Sequence, residues 1–203
     1  MTESPIDFSQ LKQHILKRIE ITDEEFAQFI SMIKVIHLNK KEFFSQSGEI
    51  CDAQAYVNKG CLATYYTDDK AHNHVIQIGV EDWWIGDVAS FLNGTPTRYN
   101  VEALEECELF TIDAISMEMI FEKIPRFERF FRLLVQKAYA GFQQRVMEGM
   151  SKSAEERYLD FMKKYPGLKR RVAQHYIASY LGISPEALSR IKKSMIVRER
   201  SSK

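Results

Sequence analysis

The stretch from Lys34 to Ile112 consists of short runs in which apolar and polar residues alternate, and this pattern limits the fold more than any other feature. Three of these runs are AQAYVNKG, CLATYYTD and NHVIQIGV, with glycines or paired aspartates between such runs. Short strands that recur about every 8 to 12 residues with turn residues between them are typical of antiparallel sandwiches and jelly rolls. The sequence therefore predicts a β-rich domain in a chain of 203 residues, long enough for one large or two small domains.

Helical patterns flank this stretch on both sides. Before it, ILKRIEI and TDEEFAQFISMI predict helices, and Thr22 and Glu25 fit a capping box. After it, Ser153 and Glu156 fit a second capping box, at the start of a helix that Pro166 ends.

Between these two regions, the segment PRFERFFRLLVQKAYAGFQQRVMEGM predicts one long helix. Its apolar stripe comprises Phe127, Phe131, Leu134, Ala138, Phe142 and Val146, widened by Phe130, Leu133 and Tyr139. A helix this apolar on more than one side needs two surfaces to bury against. We expect one to be its own domain and the other to be the same helix of a second copy, which makes a homodimer. Burial within a single subunit is the alternative.

Charge is distributed unevenly along a chain whose formal net charge is zero. Residues 151–203 hold 13 Lys or Arg against 5 Asp or Glu, a net charge of +8, so residues 1–150 carry −8. A basic segment of this kind suits a polyanionic partner, most simply nucleic acid.

The C-terminal letters RRVAQHYIASYLGISPEALSRIKKSM predict two short amphipathic helices around LGIS. Gly182 supplies the tight turn, Ser184 caps the second helix, and Pro185 takes the first helical position, where a missing N–H costs nothing. Such a unit is a helix-turn-helix, whose second helix can enter the major groove of DNA.

The outward side chains of that second helix suit base reading. Glu186 can accept from a cytosine amino group, Arg190 can pair bidentately with a guanine, and Ser189 can reach a base or a phosphate. Lys192 and Lys193 would hold phosphates and set the register. The predicted DNA-binding residues are therefore Ser184, Glu186, Ser189, Arg190, Lys192 and Lys193; a charged helical hairpin with a purely structural role is the alternative.

Other classes of protein are disfavoured. Cys51, Cys61 and Cys107 are an odd number at wide spacing, which does not suit a disulfide framework, a CxxC zinc site or an iron–sulfur cluster. No apolar run approaches the ~18 residues of a membrane span, and the start MTESPIDFSQ lacks the layout of a signal peptide, so a cytoplasmic protein without membrane contact is expected.

Enzymatic chemistry is also disfavoured. His72 and His74 could share one face of a strand, as in a cupin metal site, but no further histidine follows until His175. We interpret these two residues as part of a polar hairpin tip. The sequence has no nucleophile–base pattern, P-loop or GxGxxG, so we expect no enzyme.

With a β-roll, a long helix and a helix-turn-helix in that order, the sequence resembles Crp/Fnr-family transcription regulators from about residue 20 onward. SPEALSR is similar to the core of the family's recognition helix, and SGE, KG and IGD, at 47–49, 59–60 and 85–87, are similar to the glycine landmarks of its roll. The resemblance implies a cyclic-nucleotide-like roll that communicates with DNA-binding domains through a dimer helix. It also implies that Glu186, Ser189 and Arg190 read bases.

The resemblance directs attention to DWWIGDVASFLNGTPTRYNVEA at 82–103. Family members that bind cyclic nucleotides carry a Gly-Glu whose carboxylate holds a ribose hydroxyl, and an arginine that holds the cyclic phosphate. Here Asp87 follows Gly86, the position of the arginine falls on Thr97, and Arg98 comes one residue late. A slip of one residue turns a strand side chain to the other face unless a bulge corrects it.

The ligand-binding candidates are Gly86, Asp87, Val88, Thr97, Arg98 and Tyr99, and Trp83 and Trp84 are candidates for the lining of such a pocket. A cyclic nucleotide is disfavoured as the effector. Another small-molecule effector, and a roll that serves only as a scaffold, both stay open.

These patterns predict an α+β chain: an antiparallel β jelly roll with N-terminal helices over 1–125, a long dimerisation helix over 126–150 and a helix-turn-helix domain over 151–203. The chain ends about ten residues after the short recognition helix, so the family's C-terminal wing is expected to be short or absent. Expected partners are double-stranded DNA, a second copy of the chain and, if the roll is a sensor, a small-molecule effector; no cofactor is certain. Two other functions stay open: a cyclic-nucleotide-responsive regulator with a bulged pocket, and a roll that docks a protein partner without binding DNA.

Overall fold

The computed structural model describes the backbone of residues 6–201 and the side chains of residues 6–198, so the outer ends of the predicted 1–125 and 151–203 domains lie outside the described residues. The strands are β1 Lys34–Leu38, β2 Phe43–Ser45, β3 Ala53–Lys59, β4 Leu62–Thr67, β5 Asn73–Gly79, β6 Trp84–Ile85, β7 Asn100–Ala103 and β8 Cys107–Asp113. The helices are α1 Ser9–Leu16, α2 Asp23–Ile30, α3 Val88–Asn93, α4 Ala114–Lys123, α5 Arg126–Ser151, α6 Ala154–Lys164, α7 Leu168–Arg171, α8 Gln174–Tyr180 and α9 Pro185–Ser201.

Two four-stranded sheets form the roll and enclose its core. Their strand orders are β1-β8-β3-β6 and β2-β7-β4-β5, and their pairings are antiparallel. Val57 and Leu109 from one sheet meet Leu62 and Val101 from the other, and all four are fully buried. The antiparallel jelly roll that the alternating sequence predicts is confirmed.

The N-terminal helices differ in part from the prediction. The capping box is confirmed, because Thr22 Oγ1 accepts from the N–H of Glu25 at 3.2 Å and Glu25 Oε2 accepts from the N–H of Thr22 at 2.8 Å. The helix expected over ILKRIEI is wrong for most of its length, since α1 ends at Leu16 and a turn follows. The turn buries Ile19 in the same apolar cluster as the helices. Thr22 has the extended backbone of a helix N-cap, so α2 begins as a separate helix after it.

His14 of α1 is a buried polar group in the cluster between the roll, α1 and α5. Its ring packs edge-on against Tyr56 and Phe130, with centroid distances of 5.2 and 5.9 Å, and only 3% of the residue is exposed. Its Nδ1 lies 3.5 Å from Asp82 Oδ1, while Nε2 is buried without a hydrogen-bond partner. Burial, helped by the charge of Arg18, lowers the pKa of His14 from 6.5 to about 4.

This pKa predicts that the protein loses stability in mild acid. Because the histidine of the unfolded chain takes up a proton near pH 6.5 and the folded one only near pH 4, the stability is complete above about pH 6.5 and falls as the pH drops. Between pH 7.5 and 5.5 the loss from His14 is roughly 1 kcal/mol. Urea unfolding of the wild type and His14→Gln at both pH values measures it. An equal loss in both proteins would contradict the assignment.

The helices after α5 pack on the roll instead of standing apart from it. Phe161 and Leu168 of the C-terminal helices share one buried cluster with Ala63, Tyr65 and Ile78 of the roll. The helix α8 lies against β5, the edge strand of its sheet. The roll and the C-terminal helices therefore have a continuous core.

Local signals in the C-terminal region are confirmed. Ser153 and Glu156 form a reciprocal capping box at the start of α6, which ends at Lys164 before Pro166. Two features differ from the prediction. A separate short helix, α7, forms over Leu168–Arg171, and the backbone of α9 is helical without a break from Pro185 to Ser201, so α9 is longer than the short helix predicted and continues through most of the expected tail.

Within the described part of the chain, no helix is both long enough and apolar enough to cross a membrane.

Candidate nucleic-acid interface and ligand cassette

A tight turn joins α8 to α9 and leaves one face of α9 open. Gly182 takes a left-handed conformation with φ of +67°, and Ser184 Oγ accepts from the N–H of Ala187 at 3.2 Å. Leu181 and Leu188 are buried on either side of the turn and fix α9 against α8. The predicted turn residue, cap and apolar contacts are thus present, and the C-terminal helices are compatible with a helix-turn-helix.

The predicted base-reading residues lie on the outer side of α9. Glu186, Arg190 and Lys193 are exposed, whereas Ser189 and Lys192 are half-buried. The three exposed residues are four and three positions apart, which places them on one helix face. Hydrogen bonds from its own backbone N–H and from Ser184 lower the pKa of Glu186, with a further contribution from the charge of Arg190, so this acceptor is ionised at neutral pH.

Part of the C-terminal positive charge is paired within the fold. Lys152 bonds to Glu148 and Asp160 at 2.9 and 2.7 Å, and Arg198 lies 2.6 Å from Glu155. Arg171 binds carboxylates of the roll. Glu148, Glu81 and Glu105 lie outside residues 151–203, so their pairing with Lys152 and Arg171 lowers the charge that this segment offers a polyanion below its net of +8. Asp160 and Glu155 are already counted in that net.

Asp87 and Thr97 lie together in the cassette, the name used here for residues 86–99. Asp87 caps α3, because its Oδ1 accepts from the N–H groups of Ala89 and Ser90 at 2.9 and 3.2 Å. Its Oδ2 accepts from Thr97 Oγ1 at 2.7 Å, and the two residues are only 8% and 2% exposed. The carboxylate is thus satisfied by the protein itself.

The other ligand-binding candidates divide into two groups. Gly86, with φ of +148°, lies directly before Asp87, and the N–H of Tyr99 donates to Thr97 Oγ1 at 3.0 Å. Arg98 is exposed, and its guanidinium carbon lies 5.5 Å from the ring centre of Tyr66. Val88 is exposed on α3. The structure therefore brings Gly86, Asp87, Thr97 and Tyr99 together and leaves Arg98 and Val88 outside.

Ser90 of the cassette and Cys51, which lies outside it, hold this segment together, and neither is among the predicted ligand-binding residues. Ser90 Oγ accepts from the N–H of Cys51 at 2.9 Å and donates to the carbonyl of Thr95 at 2.6 Å. Cys51 Sγ accepts from the N–H of Asp87 at 3.4 Å, and burial raises the pKa of this thiol. The Asp-x-x-Ser spacing hints at a capped turn, but nothing local points to Cys51, which lies 36 residues before Asp87.

The two tryptophans of the chain pack elsewhere. Trp83 lies against Tyr165 of the C-terminal region at 6.1 Å between ring centres, and Trp84 packs edge-on against Phe131 of α5 at 5.0 Å. These contacts bind the roll to the helices that follow it.

The histidine pair lies at the tip of the β4–β5 hairpin. His74 Nε2 is 3.0 Å from Asp68 Oδ2, and the N–H of His72 donates to Asp68 Oδ1 at 2.9 Å. Among the described residues, no group of three or more His, Cys, Asp or Glu side chains is placed to hold a metal ion.

The long helix α5 changes its surroundings halfway along. Phe127 and Phe130 are buried in the N-terminal cluster, and Phe131 and Leu134 pack against it. From there on, the apolar residues are exposed. We call the set Val135, Tyr139, Phe142, Val146 and Met150 the exposed seam. Its spacing of four, three, four and four approximates the repeat of a coiled-coil interface.

Comparison with known proteins identifies the fold. Residues 35–123 match the family model of the cyclic nucleotide-binding domain. Among solved structures, the c-di-GMP responsive global regulator CLP from Xanthomonas campestris has a TM-score of 0.70 at 13% identity, over 88% of this chain and 93% of that chain. FixK2 from Bradyrhizobium japonicum has a TM-score of 0.70 at 16% identity, over 82% and 86%. Comparison with curated proteins gave no match.

A third solved structure bears directly on the resemblance seen in the sequence. A putative transcriptional regulator of the Crp/Fnr family from Eubacterium rectale has a TM-score of 0.67 at 15% identity, over 88% of this chain and 85% of that chain. The predicted likeness to Crp/Fnr-family regulators is therefore confirmed at the level of the fold.

Proposed function

We propose that this chain, which shares the fold of Crp/Fnr-family regulators, is a homodimeric DNA-binding transcription regulator whose roll does not bind a cyclic nucleotide. The observation that carries the proposal is the open face of α9, where Glu186, Arg190 and Lys193 are exposed on a helix held by a capped, left-handed turn. A cytoplasmic location is part of the same proposal. No catalytic step is part of the proposal.

The chemistry of this face supports major-groove reading. Arg190 offers the planar pair of donors that matches guanine O6 and N7, and ionised Glu186 accepts from a cytosine amino group. Lys193 and half-buried Lys192 supply phosphate contacts, and Ser189 reaches a base or a phosphate. Ser184 contributes through its cap on α9.

The exposed seam supports the homodimer. Phe142 is 55% exposed and Tyr139 61%, and apolar seams of this kind on long helices are buried by a second helix. A twofold pair of chains would present two α9 helices to successive major grooves about 34 Å apart, which suits a roughly palindromic site.

The geometry of the cassette argues against a cyclic nucleotide as the effector. A cyclic phosphate needs a cationic or N–H-rich partner, and the position that corresponds to the family's arginine is the buried hydroxyl of Thr97. Arg98 is directed to Tyr66 on the outside. The Asp87 carboxylate would repel a phosphate placed beside it.

The interior of the roll contains two buried hydroxyl groups that an effector could contact. Ser45 and Thr64 are both paired in register with Val101, so their side chains lie on the same face of the sheet. The Thr64 hydroxyl is buried without a hydrogen-bond partner within the described structure, and the Ser45 hydroxyl is buried beside the Cys51 thiol. If the roll has an effector, these hydroxyls favour a small molecule that forms hydrogen bonds and carries no phosphate.

Addition of cyclic AMP or cyclic GMP is expected to leave the thermal unfolding midpoint unchanged. A ligand that binds only the folded state at 100 times its Kd stabilises the protein by about 2.7 kcal/mol, which a melting curve detects readily. The measurement is differential scanning fluorimetry with each nucleotide up to millimolar concentration. A concentration-dependent rise in the midpoint would instead favour a bulged pocket that recruits Arg98.

Selection of bound duplexes from a random DNA pool tests the proposed function. The purified full chain is used alone and with each cyclic nucleotide, and the same palindromic motif is expected in all three selections. The matched control is the Glu186→Ala/Arg190→Ala double variant, which keeps the fold and should enrich no motif. Failure of the wild-type chain to enrich a motif in any selection would overturn the proposal and favour the roll as a protein-docking module.

A further inference from the structure

Arg171 of α7 is the only one of the described C-terminal cations that binds two carboxylates of the roll. Its Nη1 and Nη2 donate to the two oxygens of Glu81 at 2.9 and 2.7 Å, a bidentate pair. Its Nε and Nη2 also donate to Glu105 Oε1 at 3.0 and 2.5 Å. We call Arg171, Glu81 and Glu105 the latch. It joins α7 to the β5–β6 and β7–β8 loops.

Four of the five N–H donors of Arg171 are therefore already used. A guanidinium has five N–H groups in a fixed fork, and these four bonds engage both edges of it. A phosphate of DNA could be bound bidentately only by giving up bonds to Glu81 or Glu105. The charge of Arg171 was counted in the basic segment that composition assigns to a polyanion, but it pairs with Glu81 and Glu105 of the roll.

Further contacts join the same two parts of the molecule beside the latch. The hydroxyls of Tyr65, on the roll, and Tyr176, on α8, both donate to Glu102 Oε2, at 2.9 and 3.0 Å. Ser179 of α8 donates to the carbonyl of Asn73 at 2.6 Å and accepts from the N–H of Val75 at 2.9 Å. We call α7, α8 and α9 the reading unit, whose α8 thus covers the free edge of β5.

The chain continues from the latch into α8 and α9 through the tight turn at Gly182, and Leu188 ties α9 to the same buried cluster as α8. Whatever fixes α7 and α8 on the roll therefore also fixes the direction of α9. The three side chains of the latch are 30–37% exposed, so solvent screens the latch and it need not decide whether the chain folds.

We propose that Arg171 is a positioning residue, which fixes the angle between the roll and the DNA-reading helix α9 through its contacts with Glu81 and Glu105. This inference rests on the proposed function for its effect on DNA, but the docking of the reading unit can be measured without DNA. Because the latch fixes α9 relative to the roll, the positions of the two rolls in a dimer would set the spacing between the two recognition helices.

The first test is hydrogen exchange of β5 in the full chain without DNA. The amide of Val75 donates to Ser179 and is protected only while the reading unit is docked. Arg171→Ala and the isosteric Glu81→Gln/Glu105→Gln pair should both speed exchange in the peptide that spans Asn73–Gly79. Arg170→Ala is the matched control, since Arg170 is its exposed neighbour and carries the same charge.

The second test is DNA affinity as a function of salt. Both latch variants should lose about tenfold on a two-half-site duplex, with no change on a single half-site and no change in the salt slope. A phosphate contact behaves differently: Arg171→Ala would flatten the salt slope by about one, and removal of two acidic charges would strengthen binding. The glutamine variant thus separates the two roles.

The outcomes are distinct. Faster exchange in both latch variants, with normal exchange in Arg170→Ala, supports the latch. Wild-type exchange in Arg171→Ala, or a flattened salt slope, overturns it. If the wild-type chain binds no DNA, the proposed function fails, and the exchange rates still decide whether the latch holds the reading unit.

Discussion

Replacement of Phe142 by glutamate is expected to turn the proposed dimer into a monomer and to weaken binding to a two-half-site duplex by roughly 100-fold or more. Phe142 lies at the middle of the exposed seam and is 55% exposed in the single chain. In a paired helix it would be buried, and two glutamates facing each other there would be desolvated and would repel. Once the chains separate, each half-site is bound independently and the effective concentration of the second reader is lost.

The matched control is Lys137→Glu. Lys137 is exposed on the same helix, and helical geometry places it opposite the seam. The substitution changes the charge by two units, more than Phe142→Glu does. Sedimentation equilibrium and fluorescence anisotropy with a labelled duplex measure mass and affinity. A dimer that persists in Phe142→Glu, or is lost equally in Lys137→Glu, would show that the seam is not the interface.

Replacement of Arg190 by alanine is expected to cost roughly 1 to 3 kcal/mol on the selected site and to relax the preference at one base pair. The guanidinium is exposed on α9, four residues after Glu186. Its paired N–H groups can donate to O6 and N7 of a guanine. On random DNA the loss should be small, since only one cation of several is removed.

The comparison variant for Arg190→Ala is Lys193→Ala, one turn further along the same face. It should weaken binding to all sequences alike and flatten the salt slope by about one, because a lysine that holds a phosphate contributes charge and no base preference. Both variants are measured by competition against the selected site and against random duplexes. Equal losses on the two kinds of DNA for Arg190→Ala would assign it to the backbone and leave base reading to other residues.

Much of the local structure follows from the sequence because its causes lie within a few residues. A threonine or serine followed by a glutamate three positions later satisfies the first N–H groups of a helix, and both predicted capping boxes form. Gly182, Ser184 and Pro185 specify a turn and a helix start, and these too form. The alternation between Lys34 and Ile112 commits that stretch to strands whose apolar sides must be covered.

The same local reasoning fails where burial competes with it. ILKRIEI has the letters of a helix, but the chain turns after Leu16 and buries Ile19 in the cluster beneath α1 and α2. The apolar stripe of α5 looks continuous in sequence, yet Phe130 is buried in its own domain and Phe142 is exposed. The buried part of the stripe ends where the roll ends. The apolar repeat in the sequence does not show where along α5 that point lies.

The sequence by itself determined most of the order and type of the elements and the side-chain chemistry on the open face of α9, since these depend on neighbours within a turn or a strand. Only the tertiary structure decided how the polar groups pair. Asp87 meets Thr97 because α3 and a turn bring them together, and Arg171 meets Glu81 across 90 positions of the chain. Contacts such as that of Arg171 with Glu81 arise from the packing of the reading unit on the roll. Burial of apolar side chains fixes how these parts are arranged, and the arrangement decides which charged groups come within bonding distance.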